Sequence, residues 1–152
     1  MSIEDRLAQL GLTLPTPQAP LANYVTARAV GDRLYTSGHL GKLDGVVVVG
    51  AVGADVSPLD AYNAARAAAI DILASARQAV NTLDRVRGVV KVTGFVHSAT
   101  DFTDQSSVVN GASDLFVEVF GPVGGRHARS AVGVAQLPQG AAVEIEAILD
   151  ID

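Results

Sequence analysis

The stretch Val143-Glu144-Ile145-Glu146-Ala147-Ile148-Leu149-Asp150-Ile151 leaves little choice of structure. Strand side chains alternate between two faces. Val143, Ile145, Ala147, Leu149 and Ile151 therefore share one apolar face, and Glu144, Glu146, Ile148 and Asp150 share the other. Such a strand belongs to a sheet with one side against a core. The segment that begins Arg126-His127-Ala128-Arg129 reads as its partner strand, joined to it by a tight turn at Leu137-Pro138-Gln139-Gly140. Pro138 presets φ there, and Gly140 accepts the positive φ that tight turns need. A fixed cation, Arg129, thus begins one strand, and a carboxylate, Glu144, stands in its expected neighbour.

The remaining elements follow in order. Ser2 caps a short helix over residues 3–10, with Glu4 and Asp5 in its first turn where the helix dipole favours anions, and Gly11 ends it. Pro15, Pro17 and Pro20 make residues 12–22 an extended connector. Residues 23–30, with Tyr24 at the start, alternate as a strand; Gly31-Asp32 turns the chain and residues 33–40 return. In the returning strand, Thr36-Ser37-Gly38-His39 sets a glycine where a bulge or a close approach to the backbone is expected. Leu43-Asp44-Gly45 is a further turn, residues 46–49 are a short β segment, and residues 50–55 are irregular.

Ser57-Pro58-Leu59-Asp60 is a helix start, with Ser as N-cap, Pro at the first helical position and an acid two residues on. The helix runs to about Val80 on an Ala-rich stripe of Leu59, Tyr62, Ala65 or Arg66, Ala69, Ile72 or Leu73, Ala76 and Val80. Residues 86–98 are β-rich. A second helix over residues 104–120 carries Val108 or Val109, Ala112, Leu115 or Phe116, and Val119, and the run from Gly121 to Gly125 stops it. The order ββ(β)αβαββ predicts an α+β fold, one domain over residues 1–152, with a mixed sheet and two main helices on one face.

Composition narrows the function. Hydrophobic residues make up 49% of the chain against 18% charged, mostly as Ala and Val, beside 15 Gly and no Trp, which suggests surface hidden against other subunits. The net charge of −5, with no basic run denser than Arg85, Arg87 and Lys91, argues against a partner bound through a nucleic-acid backbone. Without Cys there is no disulfide framework, thiol nucleophile or thiolate metal site. The N-terminal residues lack the charged and apolar regions of a signal peptide, and no apolar run is long enough to span a bilayer. The expectation is a soluble cytoplasmic protein.

His39, His97 and His127 are far apart, without metal-site spacing, so neither a metal nor a cofactor is expected. The glycine-rich runs 50–53 and 121–125 lack the strand-to-helix context of a phosphate loop. Neither Ser37 nor Ser130 sits in a nucleophile elbow. Arg129 and Glu144 remain. Taken alone they read as a cross-strand ion pair, worth little if exposed. A buried Arg is nevertheless well suited to bidentate binding of a carboxylate, at about 1.5–3 kcal/mol for each charge-assisted hydrogen bond.

These residues resemble a family. His127-Ala128-Arg129-Ser130-Ala131-Val132, followed by Leu137-Pro138 and Val143-Glu144-Ile145-Glu146-Ala147-Ile148, looks like the C-terminal signature of the reactive intermediate deaminases, the RidA/YjgF or endoribonuclease L-PSP-like proteins. Asn23-Tyr24-Val25, Tyr35-Thr36-Ser37-Gly38, the block 90–95 with Asp101-Phe102, and Asn110 resemble its other segments. The resemblance implies a chorismate-mutase-like fold, a homotrimer with a central barrel, and ligand sites in clefts between subunits. It implies hydrolysis of 2-imino acids or their enamine tautomers to 2-keto acids and ammonia, or binding of a small carboxylate metabolite without turnover; ribonuclease action, the older name of the family, fits an acidic chain poorly.

By the same resemblance Arg129 clamps the substrate carboxylate and Glu144 is the acid/base beside the attacking water. Tyr24 closes the pocket across the interface, and Ser37, Gly38 and Asn110 line it. His127, where the chain departs from the family, is expected on the strand face of Arg129, placed to modify specificity. The chain departs from the family in carrying Ala131 where many members have Cys, in the Gly-Gly-Arg-His lead-in where typical deaminases have Phe-Pro, and in its extra N-terminal helix and 46–55 insertion.

Overall fold

A computed structural model describes all of residues 1–152. Along the chain the elements are α1 (Ile3–Gln9), β1 (Ala27–Val30), β2 (Arg33–Thr36), β3 (His39–Leu40), β4 (Lys42–Leu43), β5 (Val46–Val47), α2 (Pro58–Val80), β6 (Val86–His97), α3 (Gln105–Gly124), β7 (Ala128–Val134) and β8 (Val143–Ile151). The main sheet runs β1-β2-β8-β6-β7, with β3 also pairing with β8. Only β6 and β7 are parallel, so the sheet is mixed. The fold is α+β, as its sequence order predicts.

The alternation of β8 is fully expressed: Val143, Ile145, Ala147, Leu149 and Ile151 are buried, and the residues between them are half-buried. The buried face meets α2 and α3. α2 begins as its sequence dictates, with Asp60 N–H donating to Ser57 Oγ at 3.1 Å and Pro58 in the first turn. Its Ala61, Ala64, Ala65, Ala68 and Ala69 are fully buried, so the helix backbones and the sheet come close. Larger side chains fill the remaining space; Ile72, Leu73, Leu115, Phe116, Ile145 and Leu149 are inaccessible, each worth about 1.5–3 kcal/mol of burial. The helices are tied at their outer edge by a bidentate pair, Arg66 to Glu118, at 3.0 and 2.6 Å.

Several expectations need correction. β7 and β8 are not a hairpin: β6 lies between them, parallel to β7 and antiparallel to β8. The reason is the long helix α3. A β6–α3–β7 crossover brings the chain back parallel to β6, and the turn at Pro138–Gly140 then carries it over the end of β6 to its other side. The strand expected from residue 23 starts only at Ala27, leaving Tyr24 in the turn before it. Leu59 is 68% exposed, because the buried stripe of α2 starts at Ala61. The first run of α3 stops at residue 120 as expected, because Gly121 is non-helical (φ 74°, ψ 176°), and a further short turn continues to Gly124.

The strand expected over residues 33–40 is broken in two. Tyr35 pairs with Ile148 and His39 with Ile145, so four steps along one strand match three along the other, and one extra residue is accommodated within residues 36–38. Thr36 Oγ1 accepts the Ala147 N–H at 2.9 Å and so completes the ladder at the bulge. The insertion after it folds back as the β4–β5 hairpin, with Asp44 and Gly45 both at positive φ (51° and 78°), the geometry of a tight hairpin turn. Val52 is then fully buried, donating to His97 O at 2.8 Å and accepting from Ala99 N–H at 2.9 Å.

Candidate functional site

Arg129 lies on β7 opposite Val92, a fully buried residue, and both face the helices. Its guanidinium reaches α3: Nη1 donates to Asn110 Oδ1 at 2.8 Å and to Ser113 Oγ at 3.2 Å, and Nη2 to Ser106 O at 3.5 Å. Residues 106, 110 and 113 recur at helical spacing, so one edge of α3 presents all three acceptors. Every one is neutral. Arg33, Lys42, Arg66, Arg77, Arg85 and Arg87 each have a carboxylate within salt-bridge distance, and Arg129 has none. Its charge is held in place and left uncompensated, the arrangement an anion-binding arginine requires.

His127, two residues earlier, closes the same cluster. Its Nδ1 lies 2.6 Å from Gly125 O and its Nε2 lies 2.9 Å from Ser113 Oγ, while the ring meets Phe116 edge-on at 6.0 Å. Burial lowers its pKa, and the Arg129 charge adds to that, against the raising effect of the Gly125 carbonyl.

A second group assembles around the bulge. Ser37 Oγ donates to Val25 O at 2.6 Å, which holds the turn carrying Tyr24 against the bulge; Tyr24 itself is 52% exposed. Glu144 pairs with Leu40 on β3 and Phe95 on β6, and its carboxylate rests against Gly38, where any Cβ would collide with Oε1. Burial raises the Glu144 pKa, and repulsion from Glu146, two residues along the same face, raises it further. Glu144 makes no hydrogen bond or ion pair within the chain's side-chain network, so both oxygens are free to work on a ligand or water.

Behind the bulge is a cavity of about 510 Å³ whose wall includes Tyr24, Ser37, Gly38, His39, Lys42 and Ser75. His39 bridges it, with Nδ1 2.7 Å from Ser37 O and Nε2 2.8 Å from Ser75 Oγ, and Lys42 pairs with Asp71 at 3.2 Å. Burial pulls the His39 pKa down. The prolines of the N-terminal connector, Pro15, Pro17 and Pro20, form its outer wall.

The expected Arg129–Glu144 pair is therefore not formed. Arg129, Asn110 and His127 come together on the helix side of the sheet, and Tyr24, Ser37, Gly38 and Glu144 come together at the bulge on the far side of β6. Sequence reasoning missed Ser113, although its spacing from Asn110 marks it as a neighbour on the same helix edge. It also missed His39 and Ser75, which are joined only by the packing of α2 on β3. No group of three or more His, Cys, Asp or Glu residues converges on a point where a metal could be held. No helix is long and apolar enough to cross a membrane.

The chain belongs to the YjgF/chorismate-mutase-like family. The family model described as "YjgF/chorismate_mutase-like, putative endoribonuclease" matches residues 4–145. Protein TCP17 of Trypanosoma cruzi is 48% identical over 151 residues, which are 99% of this chain and 94% of the relative. Among solved structures, Atu1372 of Agrobacterium tumefaciens, a protein of unknown function, is 47% identical over 99% of this chain and 92% of its own, with a TM-score of 0.89. RidA of an Antarctic Psychrobacter and E. coli TdcF with bound serine are each 27% identical over 90% of this chain and 94% of theirs, with TM-scores of 0.59.

Proposed function

We propose that the protein is a hydrolytic deaminase of reactive 2-imino acids and their enamine tautomers, working at clefts between the subunits of a homotrimer. The observation that carries this reading is the split of the site. The uncompensated Arg129 and the protonatable Glu144 lie on opposite sides of the sheet in one chain, so a complete site needs a second copy to present the missing half. The open face of the sheet supports such an assembly, since it leaves Tyr35 46% and Val132 41% exposed. Serine held by TdcF supports a small amino-acid-like ligand.

In this reading Arg129 of one subunit holds the substrate carboxylate, with Asn110 and Ser113 fixing the guanidinium. Tyr24, Ser37 and Glu144 come from a neighbour. Water adds to the imine carbon, the C–N bond of the resulting carbinolamine breaks, and a 2-keto acid and ammonia leave. Glu144 takes one proton from the water as it adds and a second from the carbinolamine hydroxyl as the C=O forms, and passes both to the nitrogen, which leaves as ammonia; its raised pKa favours this shuttling. The imine is already electrophilic, so orientation supplies most of what the reaction needs.

The test is release of 2-keto acid when the protein is added to an amino-acid oxidase that generates imines in situ. Acceleration by the wild type and its loss in Arg129→Ala are expected. No acceleration across several amino acids would overturn the deaminase reading. The serine in TdcF also favours a second reading, a non-catalytic receptor for a small amino or keto acid. It predicts ligand-dependent thermal stabilisation, abolished by Arg129→Ala, without turnover.

A further inference from the structure

We propose that His127 is a positioning residue for Arg129, acting through the Ser113 hydroxyl and only while its ring is neutral. The inference rests on the reading of Arg129 as the carboxylate clamp, and it assigns a role to the lead-in residue that departs from the family signature.

The hydrogen-bond directions are forced. Gly125 O, 2.6 Å from Nδ1, can only accept, so Nδ1 carries the proton. In a neutral imidazole Nε2 then accepts, and the partner 2.9 Å away is Ser113, whose hydroxyl must donate to it. That orientation turns a Ser113 lone pair toward Arg129 Nη1, which donates at 3.2 Å. Gly125 O, His127, Ser113 and Arg129 thus form a one-way chain, and Asn110 Oδ1 takes a second proton of Nη1 at 2.8 Å. The guanidinium is held by acceptors that leave its charge intact.

Protonation of Nε2 breaks the direction. Ser113 would then receive donors from two cations, and its own proton would have no acceptor. The charged group that faces His127 is Arg129, two residues on at the start of β7. α3 presents only the Ser113 hydroxyl and the uncharged Phe116 edge, and across β6 Lys91 stands opposite Ala128, adding no anion. Nothing compensates an imidazolium here. Half-burial and the nearby guanidinium both favour the neutral ring, as the lowered pKa of His127 reflects.

The test is calorimetric binding of 2-oxobutanoate between pH 7.5 and 5.5, in the wild type, Ser113→Ala and His127→Phe. Wild-type affinity is expected to fall about tenfold as His127 protonates, the scale of one hydrogen bond to a charged group. Both variants are expected to bind about tenfold more weakly at pH 7.5 and to lose the pH dependence. A histidine acting only through its charge would do the opposite and strengthen anion binding at low pH. That result, or unchanged affinity in Ser113→Ala, would overturn the proposal.

A ligand-free arm separates its failure from that of the deaminase reading. Nitrogen-15 NMR of the His127 ring should show the Nδ1–H tautomer, and its titration midpoint should rise in Arg129→Gln. If both hold while the wild type binds no 2-oxo acid, the carboxylate reading fails and the relay stands. The opposite tautomer, or a midpoint indifferent to Arg129, rejects the relay whatever the protein binds.

Discussion

The Glu144 carboxylate occupies the space that a side chain on residue 38 would need: a Cβ placed on Gly38 would lie 2.7 Å from Glu144 Cδ and closer still to Oε1. The one-residue bulge and the missing side chain act together. The bulge brings the backbone of residue 38 over β8, and glycine lets the acid lie flat against it. Gly38→Ala is therefore a displacement of Glu144 rather than a backbone defect, since Gly38 is not among the glycines with positive φ. Under the proposed deaminase reading turnover should fall about 100-fold, as for an acid/base group moved by roughly an ångström. Kinetics of Gly38→Ala, Glu144→Gln and the double variant check this. The double should be no slower than Glu144→Gln, because both changes act on one carboxylate.

Glu144 should also cost the protein stability at neutral pH. Its folded pKa is raised above the value it has in the unfolded chain, so the native state binds the proton more tightly. The associated stabilisation is complete below the ordinary glutamate range and is lost as pH climbs through the raised folded value. Glu144→Gln should be more stable than the wild type at pH 7, with the gap closing as the solution is acidified through the raised folded value and gone below pH ~4, the ordinary glutamate value. Because the side chain is only half-buried, solvent screening keeps the difference small. Urea melts at several pH values measure it.

Arg129→Lys keeps the charge and removes the fork. One ammonium cannot donate to Asn110, Ser113 and a bidentate carboxylate in the same plane. The dissociation constant for 2-oxobutanoate should rise about tenfold or more by calorimetry, the scale of one lost charge-assisted hydrogen bond. Thermal stability should fall modestly, because the Asn110 and Ser113 hydrogen bonds are weakened while no ion pair is lost.

What was legible in the sequence was local. The alternation of residues 143–151, the Ser57-Pro58 cap and the glycine at 38 each carry their own conformational cause, and each element or irregularity formed where its cause lay. Strand order has no such local cause. Pro138 and Gly140 announce a turn, but nothing near them says that β6, some forty residues upstream, is inserted between the strands they join. Hence the expected Arg129–Glu144 pair gave way to two half-sites. Ser113, His39 and Ser75 were hidden for a related reason: a serine on a helix reads as solvated until a distant segment packed against it supplies a histidine.

Gly111 shows how the same close packing limits substitution. In an isolated helix Gly→Ala is worth roughly 0.5–1 kcal/mol of stabilisation. In α3, however, an added Cβ would collide with the Tyr62 carbonyl oxygen of α2 and lie 2.9 Å from Tyr62 C and 3.1 Å from Arg66 N. These are backbone atoms of a helix whose other side is locked by fully buried alanines, so neither partner can yield without opening the core. Separating the helices would also strain the Arg66–Glu118 fork at 3.0 and 2.6 Å. Overpacking of this kind costs about 1–3 kcal/mol, which outweighs the propensity gain. Gly111→Ala should lower the denaturation midpoint, and Gly111→Val should lower it further; a midpoint raised by the alanine would mean that α2 and α3 are not held at this distance.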